Sequence, residues 1–367
     1  MKIDRITLTH VQVPLVEPFR ISNGEVSLKD GIIVRVYSEG LVGIGESSPM
    51  GGSFYSDETP ETAWECLRNE IVPLFVDADV PSIPQVNEIL GRIPGNSFAR
   101  AGMETAFWDL EARRRNEPLY QFLGATRNRI ESGLAVGIYP SVPELLHAIE
   151  HYLGEGYKRL KIKIQPGWDL EPLAAVRKQF GALALMVDAN CAYTEKDIEH
   201  LKRLDDFNLM MVEQPLPKDD LEGHAKLQKV IKTPVCLDEG AKDVETVRRA
   251  IAMHACRIIN IKIQRVGGLQ NARQMHNLCM ESGIPVWGGT MPELGIGGAQ
   301  TVHLAALPNF TYPTDVESSR RWFVDDIVDP LIEVHDGCIA IPSGPGNAFR
   351  LNESVVGRFK VREERFS

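Results

Sequence analysis

Five charged residues recur along this chain at a nearly constant interval. Lys163, Asp188, Glu213 and Asp238 stand 25 residues apart, and Lys262 follows 24 residues later. Each carboxylate ends an apolar run, in MVDAN, MVEQP and CLDEG. Charged side chains are rarely buried without partners. Three carboxylates converging at short range repel one another, and a divalent cation removes that repulsion. Their hard oxygen atoms suit Mg²⁺, with Mn²⁺ as a substitute. Any one of them alone reads equally well as a helix N-cap; the equal spacing of all three favours a shared site.

The lysines obey the same geometry. Residues i and i+2 of a strand face the same way. Lys161 pairs in this sense with Lys163, Asn260 with Lys262, and Asp188 with Asn190. Neighbouring ammonium groups beside a metal lower each other's pKa and make a neutral lysine base accessible. Lys163 precedes the carboxylates and Lys262 follows them. In a closed barrel the two face each other across a bound substrate. Such an arrangement suits removal of a proton next to a carboxylate, with the metal stabilising the enediolate.

A strand, a loop and a helix together take about 25 residues, so the interval implies one charged residue per βα unit. Short apolar strands are predicted near 133–138, 159–164, 183–190, 209–214, 233–239, 257–263 and 284–289, and 307–315 closes the set. Helical patterns at 142–156, 221–232 and 269–283 separate several of them. The active rim is then the carboxyl ends of the strands. No Gly-rich dinucleotide turn appears, which argues against an open doubly wound sheet. The first part of the chain has a different texture. A strand at 3–13, two strands over 30–46 and helices at 60–75, 98–115 and 119–124 predict an α+β unit, with a Gly/Ser-rich loop at 47–59. In the helix at 98–115, Met103, Ala106, Phe107, Leu110 and Ala112 share one side. A hairpin at 331–342, turning at His-Asp-Gly, is expected to pack back on that unit.

Composition excludes several classes. The net charge of −10 disfavours nucleic acid and anionic membranes as partners. No segment approaches the roughly 20 apolar residues of a membrane span, and the N-terminus lacks a signal-peptide run. Six cysteines, none in a C-x-x-C pair, read as reduced thiols of a cytoplasmic protein. Cys191 stands beside the candidate metal site. The nine histidines show no pattern at the strand ends, and His303 reads as a packing residue.

The motifs KIKIQPGWD (161–169), VDANCAYT (187–194), VEQPL (212–216), LDEG (237–240), NIKIQRVGGL (260–269) and PVWGGTMPELGIG (285–297) occur in this order. AGMETAFWDLEARRRNEPLYQFLGA (101–125) and SGPGNAF (343–349) flank them. Through these motifs the chain resembles the enolase superfamily in its muconate-lactonizing-enzyme subgroup, and within it the o-succinylbenzoate synthase / N-succinylamino acid racemase family. The resemblance implies an α/β fold: a modified (β/α)₇β TIM-type barrel with an α+β capping domain. The cap would comprise 1–127 and a returning segment 323–367, and the barrel 128–322. The resemblance implies Asp188, Glu213 and Asp238 as Mg²⁺ ligands and Lys163 and Lys262 as the acid/base pair. Lys161, Asn190 and Glu239 become supporting residues. Arg265 matches an arginine that accompanies racemase activity. Phe19, Gly289, Thr290, Met291 and Glu293 fall in substrate-facing segments, as do the cap loops around 19–24 and 50–59.

The chain departs from the family pattern at Gly240, at Ile263-Gln264, and at Gly288, Thr290, Pro292, Leu294 and Gly298. These departures spare the proton chemistry and bear on the substrate. The expected reaction is racemisation of an N-acylated (succinylated) amino acid, o-succinylbenzoate synthase-like dehydration, or both. Alternatives are a muconate-type cycloisomerase or a dipeptide epimerase, the latter using Asp315 and Glu317 to hold a peptide ammonium. A non-catalytic binding protein predicts loss of at least one of the five ladder residues, and all are present. The partner expected is a small carboxylate, acted on by a homo-oligomer.

Overall fold

The computed structural model describes residues 1–21, 24–51, 56–80 and 82–367. Three long strands open the chain: β1 (Arg5–Ile21), β2 (Gly24–Ser38) and β3 (Leu41–Ser47). β2 and β3 turn over Glu39-Gly40, both with positive φ, as a tight hairpin between right-twisted strands requires. The final strand, Lys360–Phe366, runs antiparallel beside β1 and completes a four-stranded sheet. The C-terminus thereby closes the N-terminal cap. The hairpin expected over 331–342 does form, with Asp336 and Gly337 both at positive φ. Its second strand, Cys338–Ala340, pairs with β4 (Arg129–Glu131) instead of the N-terminal sheet. It matches β4 in length, and the open edge of β1 is taken by the longer terminal strand.

Seven parallel strands follow in sequential order: β5 (Leu134–Val136), β6 (Leu160–Lys163), β7 (Leu185–Asp188), β8 (Val212–Glu213), β9 (Val235–Leu237), β10 (Ile258–Ile261) and β11 (Val286–Gly288). Segment 307–315 does close the curl, but through single bridges and not a full ladder. Phe310 bridges Val286 on one edge, and Thr314 bridges Ser132 on the other. Pro308 and Pro313 lack the N–H groups that a continuous ladder needs. Among the described residues no helix is long and apolar enough to cross a membrane, and all six cysteines are unpaired.

Four barrel helices start on a side chain of their own loop. Ser141, Asp169, Asp220 and Asp243 each accept a backbone N–H of the helix they precede. Helices Leu269–Glu281 and Gly295–Leu304 begin at Gly268 and Leu294 and have no such cap. Cap carboxylates serve instead. Glu104 accepts from the amides of Leu269 and Gln270, and Glu46 accepts from those of Leu294 and Gly297. The helix carrying Glu104, Ser97–Arg114, is therefore buried on nearly every side from Phe98 to Ala112, not only along the apolar stripe that its periodicity marks. Gln264, one of the departures from the family pattern, adds a clasp. Its side chain donates to the carbonyl of Glu46 and accepts from the amide of Ser48.

His303 packs at the same seam, as expected of a packing residue. Its Nδ1 accepts from the amide of Tyr120, and its Nε2 donates to the carbonyl of Asn347. Both nitrogens are committed to the neutral ring, and burial depresses the pKa to about 4. An unfolded histidine titrates near 6.5. Between those values the unfolded chain takes a proton that the folded chain refuses, so stability is complete above about pH 6.5 and falls as pH drops towards 4. His303 should account for up to about 3 kcal/mol of that loss. Chemical denaturation of wild type and His303→Gln at pH 7 and pH 4.5 measures it. An equal pH dependence in both would contradict the assignment.

Candidate active site

Register brings the ladder together. Lys163 pairs with Asp188 across β6 and β7, and Asp188 with Glu213 across β7 and β8. Asp238 and Lys262 sit one residue past β9 and β10. A repeat of 25 residues thus becomes a row of side chains at the carboxyl ends of five adjacent strands. The chain turns sharply directly after two of these strands. Asn190, Cys191 and Gln214 all adopt positive φ, a cost commonly found where a site dictates the backbone.

Every member of the row is buried. Lys163 Nζ donates to Asp188 Oδ2 at 2.5 Å and to Asn190 Oδ1 at 2.9 Å. Asn190 in turn donates to Glu239 Oε1 at 3.0 Å. Lys262 Nζ donates to Asp238 Oδ2 at 2.9 Å, and Arg265 holds the other oxygen of Asp238 at 3.0 Å. Glu213 accepts from Asn260 Nδ2 at 2.7 Å and from Lys161 Nζ at 3.3 Å. Lys161 also bonds Asp315, which Arg159 holds from its far side.

These partners divide the carboxylates. Asp188 and Asp238 are held below the usual range: burial pushes them up, but Lys163 with Lys161, and Arg265 with Lys262, outweigh it. Glu213 is pushed up to about 8, first by burial and then by the charge of Asp188, with Asp238 adding to it. Lys161 departs from the expectation that neighbouring cations depress one another. Burial lowers its pKa, yet Asp315, Glu213 and Asp188 together raise it. Lys161 is therefore a fixed positive charge. The Cys191 thiol is pushed up by burial and by the nearby carboxylates, which leaves it inert.

The donor set fits a hard divalent cation. Burial, then the charges of Asp188 and Asp238, raise Glu213, and among the described residues the buried Oε2 of Glu239 has no hydrogen-bond partner. Among the described residues, however, no three His, Cys, Asp or Glu side chains converge as a ready cation cage. The carboxylates are instead paired with Lys161, Lys163, Lys262 and Arg265.

A cavity opens above the row. Lys161, Lys163 and Lys262 all reach its wall, with Phe19, Thr290 and Met291. Three other candidates for substrate contact lie elsewhere. Arg265 is engaged by Asp238. The amide of Gly289 donates to Asn260 Oδ1 at 2.8 Å. Glu293 turns back to accept from the amide of Met291. A glycine is nonetheless required at 289, because a Cβ there would lie 2.7 Å from Lys262 Cε. Of the departures at 288–298, Thr290 and Pro292 face the cavity. Gly288 lies within β11, Leu294 packs on Gly31, and Gly298 approaches Ile332. Sequence reasoning did not assign Trp322 to this wall, raised Asp315 only as a holder of a peptide ammonium, and marked Met50 only as part of a cap loop. Parts of the two cap loops, 22–23 and 52–55, lie outside the described residues.

Residues 144–355 match the family described as enolase C-terminal domain-like. Residues 3–124 match the mandelate racemase / muconate lactonizing enzyme, N-terminal domain. The chain is 43% identical over 360 residues to an o-succinylbenzoate synthase of Geobacillus kaustophilus, covering 98% of this chain and 96% of that one. It is 42% identical over 347 residues to an N-succinylamino acid racemase of Amycolatopsis sp, covering 94% of each. A crystal structure of an enolase-superfamily member from Listeria innocua superposes with a TM-score of 0.95 at 36% identity, covering 100% of this chain and 99% of that one.

Proposed function

The chain belongs to the mandelate racemase / muconate lactonizing enzyme family of the enolase superfamily, and from that premise we propose that Lys163 and Lys262 are the acid/base pair of its proton-abstraction chemistry. The observation that carries the reading is their placement. Both are buried on the wall of one cavity, on strands that flank the row Asp188, Glu213 and Asp238. The amine of one lysine accepts the proton α to the substrate carboxylate, and the ammonium of the other can return a proton to the opposite face. Asp188, Glu213 and Asp238 would hold Mg²⁺, which supplies charge stabilisation to the substrate carboxylate when bound. Lys161, fixed by Asp315, sets a positive charge beside the same group. Asn190 holds Lys163 and Glu239 in line.

The substrate class follows from the relatives. We assign racemisation of an N-succinylated amino acid, o-succinylbenzoate synthase-like dehydration, or both. Both need proton removal next to a carboxylate and differ in whether the second lysine must donate. Recognition of a peptide ammonium is disfavoured. Asp315 is occupied by Lys161 and Arg159. Glu317 accepts from the amide of Ala135 and faces Arg321.

Incubation with N-succinyl amino acids in D₂O and Mg²⁺, read by mass spectrometry, tests the racemase reading. Deuterium should enter the α-carbon of both enantiomers, and a chelator should abolish its entry. Conversion of the dehydratase substrate is measured in parallel. Absence of α-exchange in every acylated amino acid, with turnover of the dehydratase substrate, would leave dehydration alone. Absence of both reactions would defeat the substrate assignment.

A further inference from the structure

β1 does not run straight into its hairpin. Its register against β2 shifts between Pro14 and Phe19, so that residues 15–18 leave the ladder. Later parts of the chain seize the segment there. Leu15 bridges Phe323, and the amide of Val324 donates to the carbonyl of Pro14. The amide of Ile138, just past β5, donates to the carbonyl of Arg20 at 2.9 Å. A Cβ at Gly137 would lie 2.7 Å from that carbonyl, so the approach depends on glycine.

One side chain ties these contacts together. Glu17 Oε1 accepts from Tyr139 Oη at 3.3 Å and from Tyr152 Oη at 3.1 Å. Arg321 lies 3.2 Å from the same oxygen. Three donors from three barrel segments therefore meet one cap carboxylate. Arg321 is itself buried, stacked 4.0 Å over the Tyr152 ring and 4.9 Å over Trp322. Trp322 packs edge-on against Phe19 with ring centroids 4.9 Å apart, and both rings line the cavity above the lysines. Glu17 is absent from that lining.

We propose that Glu17 is a positioning residue for substrate specificity, a latch that holds the Phe19–Trp322 wall over the cavity through Tyr139, Tyr152 and Arg321. The geometry separates its role from the proton chemistry. The latch acts on the aromatic wall, which meets the part of the substrate remote from the lysines. Loosening it weakens substrate binding and leaves the lysines, on strands across the cavity floor, in place. The kinetic part of this inference rests on the function proposed above; the structural part does not.

Two measurements on Glu17→Gln, and on the double variant Tyr139→Phe/Tyr152→Phe, test it. The first is hydrogen–deuterium exchange. Peptides covering 15–21 and 134–141 should exchange at least about fivefold faster than in wild type, and the cap strand at 32–37 should not change. Unchanged exchange at 15–21, or faster exchange across the whole cap, overturns the latch whatever the substrate. The second is steady-state kinetics on whichever substrate the wild type turns over. KM should rise about tenfold with kcat held within about threefold, and the triple variant should be little worse than Glu17→Gln alone. A fall in kcat with unchanged KM, or additive effects of the Glu17 and tyrosine substitutions, overturns it. If the wild type turns over none of the assayed substrates, the substrate assignment fails, and the exchange experiment still decides the latch.

Discussion

Replacing Lys163 or Lys262 by alanine is expected to cut kcat about 10³-fold, within the range typical of a lost general acid or base. The informative part is the asymmetry between the two variants. Under the proposed mechanism each lysine serves one face of the α-carbon. Each variant should therefore lose solvent exchange for one enantiomer of an N-succinyl amino acid and retain it for the other. Misfolding cannot imitate that pattern, because it would remove exchange of both enantiomers equally. The control matters, since each lysine also neutralises a buried aspartate, Lys163 at Asp188 and Lys262 at Asp238. Dehydration makes a different demand. It needs one base, so one alanine variant should be inactive and the other should keep partial activity through the remaining charges. Exchange that persists for both enantiomers in either variant would remove that lysine from the mechanism.

The ladder was legible because a βα unit has a nearly fixed length. A 25-residue interval places Lys163, Asp188 and Glu213 in direct register, and alternation along a strand turns Lys161 and Lys163 to the same side. Information of this kind is local, and it fixed the barrel, the row and the order of charges around it. The walls of the cavity were not legible in the same way. Phe19 and Trp322 touch across about three hundred residues of chain. Nothing near either one in sequence marks the other. Asp315 was expected only as one of two acids able to hold a peptide ammonium. Its role emerges from Lys161 and Arg159, which reach it from β6 and the residue before it. The same nonlocality reversed the expectation for Lys161, since its three carboxylates lie elsewhere in the chain, on β7, on β8 and in the segment that closes the curl. Arg265, Gly289 and Glu293 stand in substrate-facing segments, yet hydrogen bonds to Asp238, Asn260 and Met291 occupy them.

The buried acids of the cap are a second nonlocal feature, and Glu104→Gln should expose their role in stability. Glu104 is fully buried and meets only donors. Its Oε1 accepts from Trp108 Nε1 at 2.7 Å, from Asn87 Nδ2 at 3.2 Å and from the amide of Gln270 at 3.0 Å. Its Oε2 accepts from the amide of Leu269 at 2.8 Å. Burial pushes its pKa up, and these four donors pull it back towards the charged form. Glutamine keeps the shape but turns one acceptor into a donor, so at least one of those N–H groups loses its partner. A buried unsatisfied donor costs about 1–3 kcal/mol, and loss of charge beside a helix N-terminus adds up to about 1–2 kcal/mol. A total of about 2–5 kcal/mol follows. The helix so capped, Leu269–Glu281, has no cap of its own, and Gly268 leaves room for Glu104 because a Cβ there would lie 2.5 Å from Oε2. Glu111, later on the same cap helix, supplies the control. It is also buried, but it pairs with Arg114 and Arg115, both about half exposed, so water can take up the donors its substitution frees and the loss should stay at about 1 kcal/mol. Urea denaturation should therefore rank Glu104→Gln well below Glu111→Gln. Equal stability of the two variants would mean that the barrel helix does not depend on the cap for its N-terminus.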